Sequence, residues 1–161
     1  MMEFRKMRRF KQQLFDEESI HILDNNTSGV LSVIGDDGYP YGVPLSYAYN
    51  KGILYFHSAV NGHKIDAIRN NAKVSFCVID RDDVHPSEFT TYYRSVIAFG
   101  KARIIDVNEE KQEALDLLSD KYSKGDGDKE KEIANGINRL VIIEVRIEHL
   151  SGKCAKELRT V

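Results

Sequence analysis

The chain alternates between short β-rich apolar runs and stretches in which apolar residues recur at helical spacing. The apolar runs, each bounded by turn residues, predict six strands at 28–35, 41–49, 53–59, 73–80, 91–106 and 139–152. The helical spacing predicts helices at 16–26, 61–71, 108–123 and, more weakly, 131–138. The remaining polar segments, 81–90 and 124–131, are typical of surface loops. Because strands and helices do not alternate regularly, the pattern favours an antiparallel sheet over a parallel one.

Three residues refine this pattern. Pro44 lies inside the second predicted strand and has no N–H to donate, so we expect an edge, a bulge or a neighbour other than a strand there. Gly100 predicts a bulge or a sharp bend in the long strand, and Asn108 is a typical N-cap for the third helix. The fold class expected is mainly β, a six-stranded antiparallel barrel with peripheral helices, forming a single domain over residues 1–161.

Composition narrows the class of function. The 161 residues are 42% hydrophobic and 30% charged, which is typical of a globular protein with a packed core. The net charge of -2 gives no general attraction to nucleic acid or to an anionic membrane, so we expect a small-molecule partner. Two cysteines without a CxxC pair suit a reducing compartment. The start of the chain has no apolar segment typical of a signal peptide, and no run is long enough to span a bilayer, so a cytoplasmic location is expected.

Polar groups collect in "LYFHSAVNGHKID", where the third predicted strand runs into a helix. His57 and Ser58 end the strand, and Gly62 lets the backbone come close to a ligand. The unpaired N–H groups of a helix N-terminus attract an anion, and Lys64 adds a full positive charge. His63 can also donate a hydrogen bond. The stretch therefore predicts an anion-binding site suited to a phosphate.

Structural roles for the same residues stay open. Ser58 and Asn61 are ordinary capping residues before a helix, and a histidine at a strand end often serves only a local hydrogen bond. His57, His63 and His85 could also be imagined as zinc ligands. Their spacing matches no helical HxxxH pair and no cysteine joins them, so no metal site is predicted.

The sequence resembles the FMN-binding split-barrel proteins related to pyridoxamine 5'-phosphate oxidase, most closely the branch that includes the 5-nitroimidazole resistance (Nim-type) proteins. The matching segments cover nearly the whole chain; they are "MRRFKQQLFDEESIHIL", "GYPYGVPLSYAY", "LYFHSAVNGHKIDAIRNNAKVSF" and "YRSVIAFGKARII". The "FHSAxxGxK" element is the most specific of them. Because "MRR" usually opens such proteins, Met7 is an alternative to Met1 as the natural start.

The resemblance implies an FMN site built from three segments. The strand that lies against the isoalloxazine matches Val43, Pro44, Leu45 and Ser46. The phosphate and ribityl cradle matches His57, Ser58, Ala59, Gly62, His63 and Lys64. The "YRSV" segment, which approaches the flavin in a homodimer whose two subunits line each site, matches Arg94, Ser95 and Val96. A homodimer with flavin at the interface is therefore implied.

Two departures from the family pattern limit what is carried over. The true pyridoxamine phosphate oxidases end in a Trp- and Arg-rich motif that holds the substrate's phosphate, whereas this chain has no Trp and ends "SGKCAKELRTV". Oxidation of pyridoxamine 5'-phosphate is therefore not expected. Position 63 is His where many relatives have Arg or Lys, which leaves Lys64 as the cation of the cradle.

The activity implied is that of an FMN-dependent oxidoreductase that reduces a small organic acceptor, for which a 5-nitroimidazole-type nitro compound is a candidate by resemblance. FAD fits the same contacts if its adenylate points outward, and NADH or NADPH is the expected electron donor. His57 and Tyr55 are the candidates for a catalytic proton-transfer group. Two alternatives remain: a flavin storage or sensing module without turnover, and a haem-binding split barrel with His57 or His63 as ligand.

Overall fold

A computed structural model describes residues 3–123 and 127–159. The strands in these residues are β1 Ser28–Ile34, β2 Pro40–Ser46, β3 Ala48–Asn50, β4 Ile53–Ala59, β5 Lys73–His85, β6 Thr90–Ile105 and β7 Leu140–Cys154. The helices are α1 Asp16–Asn25, α2 His63–Asn70, α3 Asn108–Tyr122 and α4 Lys129–Gly136.

The strands form one antiparallel sheet with the order β2-β1-β5-β6-β7-β4-β3. β2 and β3 are the two ends of this order, yet only Tyr47 separates them along the chain. The sheet must therefore curl back on itself. It forms a barrel that is open along one seam, because the two end strands, β2 and β3, are not paired with each other. The predicted fold class, a mainly β split barrel with peripheral helices, is confirmed.

The prediction of six strands was wrong by one, because the predicted strand at 41–49 breaks at Tyr47. The side chain of Tyr47 is fully buried, and its hydroxyl donates to the Leu23 carbonyl oxygen over 2.7 Å. Its backbone N–H donates to the Tyr122 hydroxyl over 3.0 Å. Tertiary contacts with α1 and α3 thus divide this strand into β2 and β3, and the described residues hold seven strands.

The predicted loop at 81–90 was also wrong. β5 continues to His85 and β6 begins at Thr90, and the two strands remain paired up to the short turn Pro86–Glu88. The ring of His85 stacks on that of Tyr92, with centroids 3.7 Å apart. Such cross-strand pairs stabilise a hairpin whatever its polarity. Of the loop predicted at 124–131, residues 124–126 lie outside the described residues, and α4 already begins at Lys129.

Two of the three single-residue predictions hold. β2 is an end strand of the sheet, which accommodates Pro44. The pairing of β6 with β7 shifts register between Phe99 and Gly100, so the expected bulge is present. The N-cap of α3 is Val107 rather than Asn108, because the Asn108 amide donates to the Asn138 side chain over 2.7 Å instead of capping the helix.

Buried apolar side chains fall into two clusters. The first fills the barrel and is closed by α1 and α2; its largest fully buried members are Tyr47, Phe56, Phe76, Leu23, Leu31, Leu54, Ile65 and Ile143. The second lies outside the barrel, where α3 and α4 cover β3, β4 and β7; it contains Ala48, Tyr55, Ile105, Ala114, Leu115, Leu118, Ile133 and Ile142. Each face of β4 therefore meets a different core.

Candidate functional site

The N-terminus of α2 follows directly on the end of β4, and it carries no side-chain cap within the described residues. Gly62 is the N-cap residue, with a φ of 135°, a value that residues with a side chain rarely adopt. The prediction that Asn61 caps α2 was wrong. A Cβ atom at Gly62 would meet no atom within 4 Å, so the space in front of the helix is open. The N–H groups of Ile65 and Asp66 already donate to the Gly62 carbonyl oxygen, so the groups that suit an anion, such as the phosphate of a nucleotide cofactor, are those of His63 and Lys64.

His63 is held by the turn between β1 and β2. Its ring stacks on that of Tyr41, with centroids 4.3 Å apart and planes 15° from parallel. The Asp36 N–H donates to His63 Nε2 over 3.4 Å, and the Asp36 carboxylate lies 3.8 Å from the same atom. A Cβ at Gly35 would come within 2.8 Å of His63 Nε2, so a side chain there would displace the His63 ring from this position. Sequence reasoning missed the contact with Tyr41, although this residue lies in the matched "GYPYGVP" segment.

The predicted residues at the end of β4 point in two directions. Ser58 is buried, and its hydroxyl donates to the Ala59 carbonyl oxygen over 3.1 Å. His57 and Ala59 are exposed, and Lys64 is half-buried in the first turn of α2. His57, Ala59, His63 and Lys64 are therefore the predicted cradle side chains that a ligand can reach.

The segment of β2 predicted to face the isoalloxazine lies at the open end of the sheet. Pro44 and Ser46 are exposed, while Val43 and Leu45 are half-buried and pack on the barrel core. An end strand leaves alternate N–H and C=O groups without a strand partner. Ser46 and His57 line one cavity of about 350 Å³, so the structure brings these two predicted residues together.

The predicted segment 94–96 of β6 lies apart from the junction of β4 and α2. Arg94 forms an ion pair with Asp80, and Asp80 also accepts a hydrogen bond from Asn26 over 2.8 Å. Burial tends to raise the pKa of Asp80, but the bonds from Asn26 and Arg94 outweigh it and lower this pKa. Arg94 lines a separate cavity beside α1, Ser95 is half-buried, and Val96 is buried in the core. Within one chain, these residues do not join the cradle at α2.

The two catalytic candidates have different surroundings. Tyr55 is buried in the core beneath α3, and burial, together with the nearby Glu144, raises its pKa. His57 is exposed and lines the cavity that it shares with Ser46. Of the two, His57 is the one that a ligand in this cavity would contact.

Across 3–123 and 127–159, no group of three or more His, Cys, Asp or Glu side chains lies close enough together to hold a metal ion. The helices of the same residues include none that is long and apolar enough to cross a membrane.

An antiparallel sheet that curls back on itself and stays open at one edge, with helices packed around it, defines a split barrel. The chain belongs to the family described as pyridoxamine 5'-phosphate oxidase, because the profile of that family matches residues 16–154. The resemblance found in the sequence is thus confirmed. A comparison with curated protein sequences found no significant match.

Solved structures with the same fold include flavoproteins. An FAD-binding protein from Mesorhizobium loti is 28% identical, with 89% of this chain and 97% of that chain covered and a TM-score of 0.64. A candidate 5-nitroimidazole antibiotic resistance protein from Bacteroides thetaiotaomicron is 22% identical, with coverage of 88% and 86% and a TM-score of 0.74. A flavocytochrome from Azotobacter vinelandii is 21% identical, with coverage of 94% and 72% and a TM-score of 0.77.

Proposed function

We propose that this protein binds FMN at the junction of β4 and α2 and uses it as an oxidoreductase. The observation that carries the proposal is the uncapped N-terminus of α2, with Gly62 in front of it and Lys64 in its first turn. A phosphate in this position gains N–H hydrogen bonds, the positive end of the helix dipole and one full charge. Family membership and the flavin-binding neighbours support the choice of a flavin nucleotide.

The remaining contacts follow from where the predicted residues lie. The backbone of Val43 to Ser46, at the open end of the sheet, offers N–H and C=O groups to the polar edge of the isoalloxazine. His57, Ala59 and Gly62 are the residues proposed to contact the ribityl chain between the isoalloxazine and the phosphate. In the proposed arrangement these segments hold FMN, whereas the adenylate of FAD would extend outward from α2.

A bound flavin supplies two-electron redox chemistry, and the protein's part is to hold it, orient it and exclude water from one side. NADH or NADPH is the proposed electron donor, and the proposed acceptor is a small organic molecule such as a nitro compound, which the likeness to a candidate nitroimidazole resistance protein supports. His57 lines the cavity that it shares with Ser46, which supports a proposed role in holding or delivering a proton beside the flavin.

We also propose that the protein is a homodimer whose interface is the outer face of β2, β1, β5 and β6. On that face Val30 pairs with Pro44 and with Cys77, and Cys77 pairs with Ile97, forming a row across four strands. Val30, Pro44 and Ile97 are exposed, and contiguous exposed apolar residues are typical of an interface. The row runs from Pro44, in the proposed flavin segment, to Ile97, next to segment 94–96, so a second copy that packs on this face would lie beside both segments.

The absorbance spectrum of the protein as purified tests the cofactor. A flavin spectrum, with release of FMN on denaturation, is expected. Anaerobic mixing with NADH or NADPH should bleach the flavin, and a nitro compound should restore its colour. A protein that cannot take up FMN or FAD would refute the proposal, and a flavin inert to both reagents would favour a storage or sensing module. A Soret band would indicate haem. Haem is the alternative cofactor, because one protein with the same fold is a flavocytochrome.

A further inference from the structure

A cavity of about 350 Å³ lies between the α3–α4 pair and the outside of the barrel. It is lined by Ser46, His57, Leu115, Leu118, Ser119, Tyr122, Ser123, Glu132, Ile133, Gly136 and Leu140. Ligand pockets span roughly 300 to 1,000 Å³, and an apolar cavity of about 150 Å³ already binds benzene. The cavity therefore has room for one substituted aromatic ring.

The walls of the cavity are mainly aliphatic, from Leu115, Leu118, Ile133 and Leu140. The Tyr122 hydroxyl is already engaged, because it donates to the Thr27 carbonyl oxygen over 2.6 Å and accepts the Tyr47 N–H. Hydrogen bonds to a ligand therefore fall mainly to the other polar lining groups.

The charge around the cavity disfavours anions. Glu132 lines the cavity with an exposed side chain and brings a negative charge to it. Lys129 of α4 is already paired with Asp116 and Asp120 over 3.2 and 2.7 Å. His57 is the ionisable group on the opposite wall. A carboxylate bound here would meet the charge of Glu132, whereas Lys121, next to the lining residue Tyr122, lies over the Tyr47 ring at 4.1 Å from its centroid.

We propose that this cavity binds the electron acceptor, and that the acceptor is a small, uncharged aromatic molecule. The inference rests on the proposed function, because Ser46 and His57 belong both to the cavity and to the predicted flavin contacts. An occupant would thus lie beside the flavin rather than on the phosphate. Aliphatic walls and Glu132 select against anionic acceptors.

Gly136 offers a way to fill the cavity without disturbing the fold. It lines the cavity, its φ of -97° suits any residue, and a Cβ there would meet no atom within 4 Å. Gly136→Leu should place its side chain in the open space. Gly136→Ala is the matched control, because it makes the same change in backbone freedom and adds little volume.

The first experiment measures binding without turnover. The oxidised holoprotein is titrated with 4-nitrobenzyl alcohol, and binding is followed by calorimetry and by saturation-transfer NMR. We expect Gly136→Leu to weaken binding at least about tenfold, whereas Gly136→Ala stays within about twofold of the parent. Retention of FMN should be the same in all three proteins.

The second experiment follows electron transfer. The flavin is reduced anaerobically with dithionite, the excess reductant is removed, and 4-nitrobenzyl alcohol or 4-nitrobenzoate is mixed in. The nitro group gains two electrons and two protons and loses one oxygen as water, giving a nitroso compound, while the flavin returns to its oxidised form. The parent should react faster with the alcohol. Glu132→Lys should shift the ratio towards the benzoate by about tenfold, and Glu130→Lys, an exposed acid on the same helix, should leave it unchanged.

The outcomes separate this inference from the proposed function. A protein that takes up no flavin would overturn both. A flavoprotein in which Gly136→Leu binds and reacts like the parent, or in which the parent does not bind the alcohol, would overturn the acceptor site alone. Loss of FMN in Gly136→Leu but not in Gly136→Ala would show that the cavity holds the flavin itself, which also overturns it.

Discussion

The ring of His63 lies flat against the ring of Tyr41, with centroids 4.3 Å apart. This contact joins the first residue of α2 to β2, so the helix N-terminus and the open end of the sheet hold a fixed relative position. Both are parts of the proposed flavin site. Preorganised groups bind a ligand without an ordering cost, which makes the pair a positioning contact as well as a packing one.

The contact should appear as a coupling free energy. In a double-mutant cycle of Tyr41→Ala and His63→Ala, we expect a coupling of about 0.5 to 1.5 kcal/mol in the free energy of unfolding, measured by urea denaturation. Tyr39, which is exposed in the same turn, supplies the control. A cycle of Tyr39→Ala with His63→Ala should show no coupling, and additivity in both cycles would contradict the stacking.

Lys64→Ala should weaken flavin binding through the phosphate. We expect the dissociation constant of FMN to rise at least about tenfold, equivalent to about 1.4 kcal/mol, while that of riboflavin changes by less than about twofold. Fluorescence titration of the flavin-free protein measures both constants.

Arg69→Ala is the matched control for this experiment, because Arg69 lies near the other end of α2 and pairs with Asp66. It should leave both constants unchanged. If Lys64→Ala weakened the binding of FMN and of riboflavin equally, the assignment of the phosphate to the N-terminus of α2 would be wrong.

Val30→Lys should weaken the proposed dimer. The substitution places a charge in the middle of the exposed row on β1, and an unpaired charge buried between two copies is costly. Sedimentation velocity should show a shift from dimer to monomer at micromolar concentration. Val107→Lys, at an exposed valine preceding α3, should sediment like the parent. A parent that is monomeric throughout would contradict the interface.

Glu144 should account for part of the loss of folding stability at low pH. Its carboxylate accepts two hydrogen bonds from Arg103, each of 2.9 Å, and its side chain is 5% exposed. The bonds from Arg103 lower the pKa of Glu144 below its ordinary 4.5, even though burial opposes this. The ionised form is thus favoured in the folded state. Its stabilising contribution is complete above about pH 4.5 and is lost as the pH falls through the lowered value.

Glu144→Gln should therefore reduce the free energy of unfolding by about 1 to 3 kcal/mol at pH 7 and flatten its decline below pH 4.5. Urea denaturation between pH 3 and pH 7 measures both effects. Glu148→Gln, which removes a weaker pair with Lys101 at 3.5 Å, is the comparison. If both variants lose the same free energy of unfolding at every pH, the decline in stability at low pH does not depend on Glu144.

Local chemistry carried the prediction of the main elements. Turn residues and β-branched runs placed the barrel strands, and the motif around His57 and Lys64 marked the junction of β4 and α2. These features depend on neighbours in the sequence, and so they can be read from it. Where a long-range contact competes with local preference, the predictions failed. Tyr47 breaks a predicted strand because its hydroxyl and N–H bond to α1 and α3.

The sequence by itself determined the mainly β fold, the family and the candidate phosphate position, because periodicity and a short motif are local properties. Only the tertiary structure decided that His63 stacks on Tyr41, that Arg94 lies away from the cradle in the same chain, and that Glu132 and Gly136 share a cavity with His57. Those contacts join residues distant in sequence. They arise from how the curled sheet and the α3–α4 pair pack, and no local pattern encodes that packing.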